Sequence, residues 1–137
     1  MPAQELQAGV QRMTATLTHR GPDGDGSWVD AEAGVALGHR RLAIIDLTAA
    51  AAQPMVSADG RFVISFNGEI YNFRELRETL TAAGSRFRSD SDTEVILKAY
   101  AAWGVDAVPR LNGMFAFVLH DASQGRVLAA RDRFGIK

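Results

Sequence analysis

A chain of 137 residues with 47% hydrophobic and 23% charged side chains has the size and composition of one globular domain with a real core. Its formal net charge of −1 offers no basic field to a nucleic-acid backbone or an anionic membrane, and no apolar run approaches the roughly 20 residues that span a bilayer. Cysteines number zero, which removes disulfides, thiolate metal sites and any cysteine nucleophile together. The start, Met1-Pro2-Ala3-Gln4-Glu5, is neither basic nor apolar, so no secretory signal is expected and the expected location is the cytoplasm.

Leu6, Val10, Met13 and Leu17 recur at helical spacing and predict an amphipathic helix over Gln4–Thr18, with Pro22 blocking its continuation. The run Gly21-Pro22-Asp23-Gly24-Asp25-Gly26 predicts a loop. Val35 and Leu37 alternate with small residues, and Leu42–Ile45 is a compact apolar run; both predict strands. Thr48–Pro54 shows no amphipathic pattern and is expected to be a loop. Arg61–Phe66 predicts the clearest strand, stopping at Asn67-Gly68, a pair suited to positive φ.

Two helices are expected next. Asn72 can cap the first, with Glu75 in its opening turn, Phe73, Leu76 and Leu80 facing inward, and Gly84 at its end. Ser91-Asp92-Thr93-Glu94 reads as a capping box ahead of Val95, Ile96, Ala99, Tyr100 and Trp103, with Gly104 to finish. Between them, Ser85–Arg88 is a candidate short strand. Met114–Leu119 and Arg126–Ala130 then predict a hairpin across Asp121–Gly125. This order of elements implies an α+β fold with antiparallel pairing rather than a doubly wound parallel sheet.

Several chemistries are excluded by spacing. Taking Asp90 as the first position of a calcium loop puts Val95 where glycine is needed and Ala101 where the bidentate glutamate is needed. Starting from Asp23 puts Trp28 in the glycine position. No metal is expected. His19, His39 and His120 are far apart in sequence, and no serine sits in a Gly-x-Ser-x-Gly elbow.

Six segments carry a resemblance: His19–Asp23, His39–Asp46, Phe66–Asn72, Ser91–Glu94, Leu111–Phe115 and Arg131–Lys137. Together, in this order, they resemble the N-terminal domain of glutamine-hydrolysing asparagine synthetases, class II amidotransferases with an N-terminal nucleophile. The resemblance runs from about Leu17 to Lys137. The Thr-Arg-Trp segment typical of other class II branches is missing, so the synthetase branch is preferred. The implied fold is an N-terminal-nucleophile-type layered sandwich, α/β/β/α, with antiparallel sheets.

The resemblance also implies roles, each beside a plainer one. Arg41 would grip the substrate carboxylate through paired hydrogen bonds, with Leu42 and Ile44 shaping the pocket; the plainer reading is a strand-edge arginine in solvent or in an ion pair. The Asn67 amide and the Gly68 N–H would stabilise the tetrahedral oxyanion of amide hydrolysis, where the alternative is an ordinary turn. Asp92 would face the glutamine ammonium with Glu69 helping to set the pocket, although Asp92 also suits helix capping.

This sequence departs from the family at both ends. The family's mature chain begins with cysteine on a first strand; here Met1-Pro2 leads straight into a helix. The Ser-Gly-Gly-type pyrophosphate loop of a synthetase domain does not occur. Residues 1–137 are therefore expected to be a partial domain, incomplete at the first strand and at the synthetase domain, and inactive in glutamine hydrolysis as written. Unpaired apolar edges would make it unstable or prone to aggregate. The resemblance implies a parent enzyme that uses ATP and Mg to make asparagine from aspartate and glutamine, with a homodimer as its candidate assembly. The expected small-molecule partner is L-glutamine, with neither nucleic acid nor membrane. Two alternatives stay open: a glutamine-binding or regulatory module without catalysis, and a synthetase relative that has lost glutaminase activity.

Overall fold

The computed structural model describes residues 1–19, 24–41 and 51–135. Helix α1 (Ala3–Ala15) buries Val10 and Thr14 against a two-stranded antiparallel sheet of β1 (Gly24–Asp30) and β2 (Val35–Arg41). The approach is close: a Cβ on Gly38 would collide with Thr14 Oγ1 and Val10 Cγ2. A glycine in β2 therefore lets the helix lie on the strand. The β1–β2 register runs from Asp30↔Val35 to Gly24↔Arg41, and Arg40 lies 3.8 Å from Asp25 across it.

The larger sheet has the antiparallel order β3 (Met55–Val56), β4 (Phe62–Ile70), β5 (Gly113–Asp121), β6 (Arg126–Arg131). Period-two alternation sorts its side chains. Phe62, Ile64, Phe66 and Ile70 of β4 and Phe115, Phe117 and Leu119 of β5 are buried on one face. There they meet Leu76 and Leu80 of α2 (Phe73–Ala82) and Val95, Ile96, Ala99 and Tyr100 of α3 (Asp92–Trp103). Each such aliphatic or aromatic side chain contributes about 1.5–3 kcal/mol on full burial. A 3₁₀ segment, Gly104–Arg110, returns the chain to β5.

The opposite face of this sheet turns toward β1–β2. Ser65 Oγ donates to the Gly38 carbonyl at 2.8 Å, and the Trp28 and His120 rings stand 5.4 Å apart. The layers are helix, sheet, sheet and helix pair, the α+β sandwich expected from the sequence. No helix among the described residues is long and apolar enough to cross a membrane.

Some local expectations change. The glycine-rich run becomes strand from Gly24 onward, because β2 supplies a full ladder and Gly26 fits against the Gln53 carbonyl, where a Cβ would collide. The strand at Arg61–Phe66 does not stop at Asn67-Gly68 but continues paired to Ile70↔Gly113. Ser85–Arg88 forms no strand; the Arg88 and Ser89 N–H groups donate to the Glu94 carboxylate instead, at 2.8–3.0 Å. Asn72 makes no side-chain cap on α2. Its amide donates to the Arg110 carbonyl and accepts from Asn112 N–H, both at 2.9 Å, so it ties two loops together. Ser91 Oγ caps α3 by accepting from Glu94 N–H at 3.2 Å. The expected strand at Leu42–Ile45 lies outside the described residues.

Glu94 is 2% exposed and also accepts from Ser89 Oγ at 2.7 Å. Removing its carboxylate leaves buried donors without partners, so Glu94→Ala should lower the unfolding free energy by about 3 kcal/mol in urea titration. A loss below about 1 kcal/mol would mean that water replaces the carboxylate without penalty.

Candidate functional site

Along β4, peptide groups alternate between the β5 side and the opposite edge. Arg61 O accepts from Ala122 N–H at 2.9 Å and Tyr71 N–H donates to Asn112 O, so odd-numbered residues face β5. Even-numbered residues face the other edge, where β3 pairs only with Val63 and Ile64. Beyond Ile64, among the described residues, side chains meet that edge. Phe66 N–H donates to Gln53 Oε1 at 2.6 Å, His39 Nε2 donates to the Phe66 carbonyl at 2.7 Å, and Ile70 N–H donates to Asp92 Oδ2 at 3.0 Å. Between these clasps a planar trans peptide sends the Gly68 N–H to the same edge.

Gly68 has φ 138, a region that side-chain-bearing residues avoid. A Cβ there would collide with the Met114 carbonyl oxygen and stand 2.7 Å from Phe115 Cα. Strand β5 is therefore packed against this glycine. The opposite strand is itself pinned: Phe115 N–H donates to buried Asp132 at 3.1 Å, and Asp132 N–H returns to the Phe115 carbonyl at 2.8 Å.

Asn67 is exposed, Glu69 half-buried and Asp92 buried at 5% exposure. Burial pushes the Asp92 carboxyl above the usual aspartate range, opposed by the N–H groups of Ile70, Asp92 and Thr93 and reinforced by the negative charge of Glu69. Asp92 thus joins α3 to the end of β4, with Glu69 near enough to repel it. A buried acceptor-only carboxylate beside a second one is an environment that a cation relieves.

Arg41 ends β2 opposite Gly24 and is described by its backbone alone; Leu42 and Ile44 lie outside the described residues. The contacts Gly38–Ser65 and His39–Phe66 advance in step along β2 and β4, which carries β2 toward the Asn67–Gly68 end. A cleft of about 1150 Å³ opens between α1, β2 and the sheet, and Asn67 lines it together with His39, Arg40, Ser65 and Ala116. Among the described residues no group of three or more His, Cys, Asp or Glu side chains is arranged to hold a metal ion.

Comparison with known proteins decides the family. The description "glutamine amidotransferase domain" matches residues 2–137. The chain belongs to this family. Asparagine synthetase [glutamine-hydrolyzing] 3 of Bacillus subtilis is 44% identical over 136 residues, covering 98% of this chain and 22% of that protein. A putative asparagine synthetase [glutamine-hydrolyzing] of Mycobacterium bovis is 46% identical over 141 residues, covering 97% and 22%. The amidotransferase chain thus spans about a fifth of the length of these curated relatives and matches their N-terminal glutaminase region. Among solved structures, the glutamine phosphoribosylpyrophosphate amidotransferase of B. subtilis, complexed with ADP and GMP, superposes with a TM-score of 0.62 at 25% identity, covering 74% of this chain and 24% of that one. The higher identity to the synthetases agrees with the branch read from the sequence motifs.

The amidotransferase fold brings Asn67, Gly68, Glu69 and Asp92 to one strand end and one helix N-terminus. Gln53, His39 and Thr93 support that end; His39 and Thr93 lie within segments that carried the resemblance, without a role read for either, and Gln53 had no signal in the sequence. Gln53 falls in a stretch without pattern. We expect Gly68→Ala to lower the unfolding free energy by about 3 kcal/mol or more, since backbone strain adds to overpacking. Urea denaturation measures it, and a cost below about 1 kcal/mol would show that β5 yields readily at Met114.

Proposed function

We propose that this chain is the glutamine-recognising part of a glutamine-hydrolysing asparagine synthetase and that, as it stands, it binds L-glutamine without hydrolysing it. The observation that carries the reading is the Asp92–Ile70 bond, which sets a buried carboxylate two residues from the Gly68 amide. In this reading Asp92, with Glu69, receives the α-ammonium group. Arg41 receives the α-carboxylate, with Leu42 and Ile44 beside it. The side-chain carbonyl of glutamine rests against the Asn67 amide and the Gly68 N–H.

The same donors would stabilise an oxyanion if a nucleophile attacked that carbonyl. Each is worth about 3–4 kcal/mol of barrier lowering in comparable sites. The reacting atom itself is missing from this sequence, which has no cysteine. Hydrolysis requires a thiolate or equivalent to add to the carboxamide carbon, the C–N bond then to break as the nitrogen takes up a proton and leaves as ammonia, and water to cleave the resulting thioester to glutamate and free thiol. In a whole synthetase the ammonia would serve ATP- and Mg-dependent amidation of aspartate to asparagine, carried out by a separate synthetase domain. ATP and Mg have no assigned residues in this chain.

Because burial raises the Asp92 pKa, ammonium binding requires an ionised group that protonates earlier than an ordinary aspartate. Glutamine affinity should therefore be full near neutral pH and fall as pH drops through a range above the usual aspartate value. Asp92→Asn should weaken L-glutamine by about tenfold or more and abolish this pH dependence, as loss of a charge-assisted hydrogen bond implies. Titration calorimetry at several pH values measures both. Absence of L-glutamine binding at millimolar concentration, or ammonia release by the purified chain, would contradict the reading.

A further inference from the structure

We propose that Gln53 is a positioning residue for the Asn67–Gly68 donors, acting by fastening the peptide that precedes them to the helix that carries Asp92. The proposal rests on the glutamine-site reading of those donors. Its physical basis lies in the open edge of β4. Strand β3 is only Met55–Val56, and its pairing reaches no farther than Ile64. Gln53 lies just before β3 and takes up the edge where the strand leaves it.

A primary carboxamide carries both an acceptor and donors, so it can bridge two elements as a peptide group does. Gln53 Oε1 accepts from Phe66 N–H at 2.6 Å, and its Nε2 donates to Thr93 Oγ1 at 3.2 Å. Thr93 is buried at 3% exposure and adjoins Asp92 at the N-terminus of α3. Strand β4 is thus joined to this helix end twice, through Gln53 at Phe66 and directly through Asp92 at Ile70. The Gly68 N–H is held midway between the two fastenings.

The substitution of a side chain for a strand has a geometric consequence. A continuing strand would offer a carbonyl to each edge N–H in turn, Gly68 included. A single side chain engages one N–H and ends there. Gln53 satisfies Phe66 while leaving its neighbour along the edge outside the clasp. Gln53 is itself seated from behind, because Gly26 of β1 lies so close to its carbonyl oxygen that a Cβ would collide. His39, donating to the Phe66 carbonyl at 2.7 Å, holds the other half of the same residue from β2.

The test uses Gln53→Leu, which keeps bulk and loses both hydrogen bonds, with Thr93→Val and Thr93→Ser as companions. In assigned amide NMR spectra of the free chain, Gln53→Leu should displace the Gly68 cross-peak while the turn glycines Gly84 and Gly125 keep theirs. L-glutamine affinity should fall about tenfold, as loss of a well-aimed hydrogen-bond donor implies. L-norvaline, which has the α-amino and α-carboxylate groups but no carboxamide, should change less than about twofold. Thr93→Val should give the same pattern more weakly and Thr93→Ser should match the parent. If Gln53→Leu fails to fold, Thr93→Val carries the comparison. An unmoved Gly68 cross-peak, or equal weakening of both ligands, would overturn the positioning role. Failure of the parent chain to bind L-glutamine would instead sink the glutamine reading, and the Gly68 cross-peak would still decide for or against Gln53.

Discussion

A strand edge that faces the interior must find a partner for each peptide group, since an unpaired buried N–H costs about 1–3 kcal/mol. Among the described residues, the edge of β4 beyond Ile64 meets that requirement at Phe66 and Ile70 with side chains from three separate segments, and the Gly68 N–H lies between them. Gln53 and His39 take the two halves of Phe66, and Asp92 takes Ile70 N–H. The Asn67–Gly68–Glu69 stretch is held between them. Much else follows: β2 must lie alongside for His39 to reach, α3 must begin at Asp92, and Gly26 and Gly38 must lack side chains for β1, β2 and α1 to close on this edge.

The electrostatics of the site come from the same arrangement. Asp92 is simultaneously a residue of the first turn of α3 and the acceptor for β4, and these two duties bury it. Burial raises its pKa and the Glu69 charge adds to the effect, while the surrounding N–H groups keep ionisation accessible. A structural role and an attraction for cations are therefore not alternatives at this position. One oxygen can serve Ile70 while the carboxylate as a whole favours a cation.

The helices and hairpin were legible because their signals are local. Apolar spacing and Ser91 mark α3, and alternating residues around Asp121–Gly125 mark β5 and β6. The main misreading came from Asn67-Gly68, whose composition is that of a turn. Gly68 does use positive φ, but inside a continuous ladder, because the close approach of Met114 and not chain reversal requires the glycine. Strand β1 was hidden for a related reason: Gly24 and Gly26 read as loop until β2 is known to pair with them. The motif residues Asn67, Gly68, Glu69 and Asp92 were identifiable through resemblance, and Arg41, Leu42 and Ile44 fall at or beyond the edge of the described residues. Gln53 was illegible in principle, since a lone glutamine in a patternless stretch acquires its meaning only from the two elements it joins.

The central claim is that side chains, in place of a strand, hold the β4 edge around Gly68 in readiness for an amide carbonyl. Residue-resolved hydrogen exchange tests it most directly. The account predicts slow exchange at the Phe66 and Ile70 amides in the free chain, with the Gly68 amide slowing on saturation with L-glutamine. Exchange at Phe66 and Ile70 as fast as in the exposed turn at Ser123–Gly125, or a Gly68 amide indifferent to L-glutamine, would contradict it.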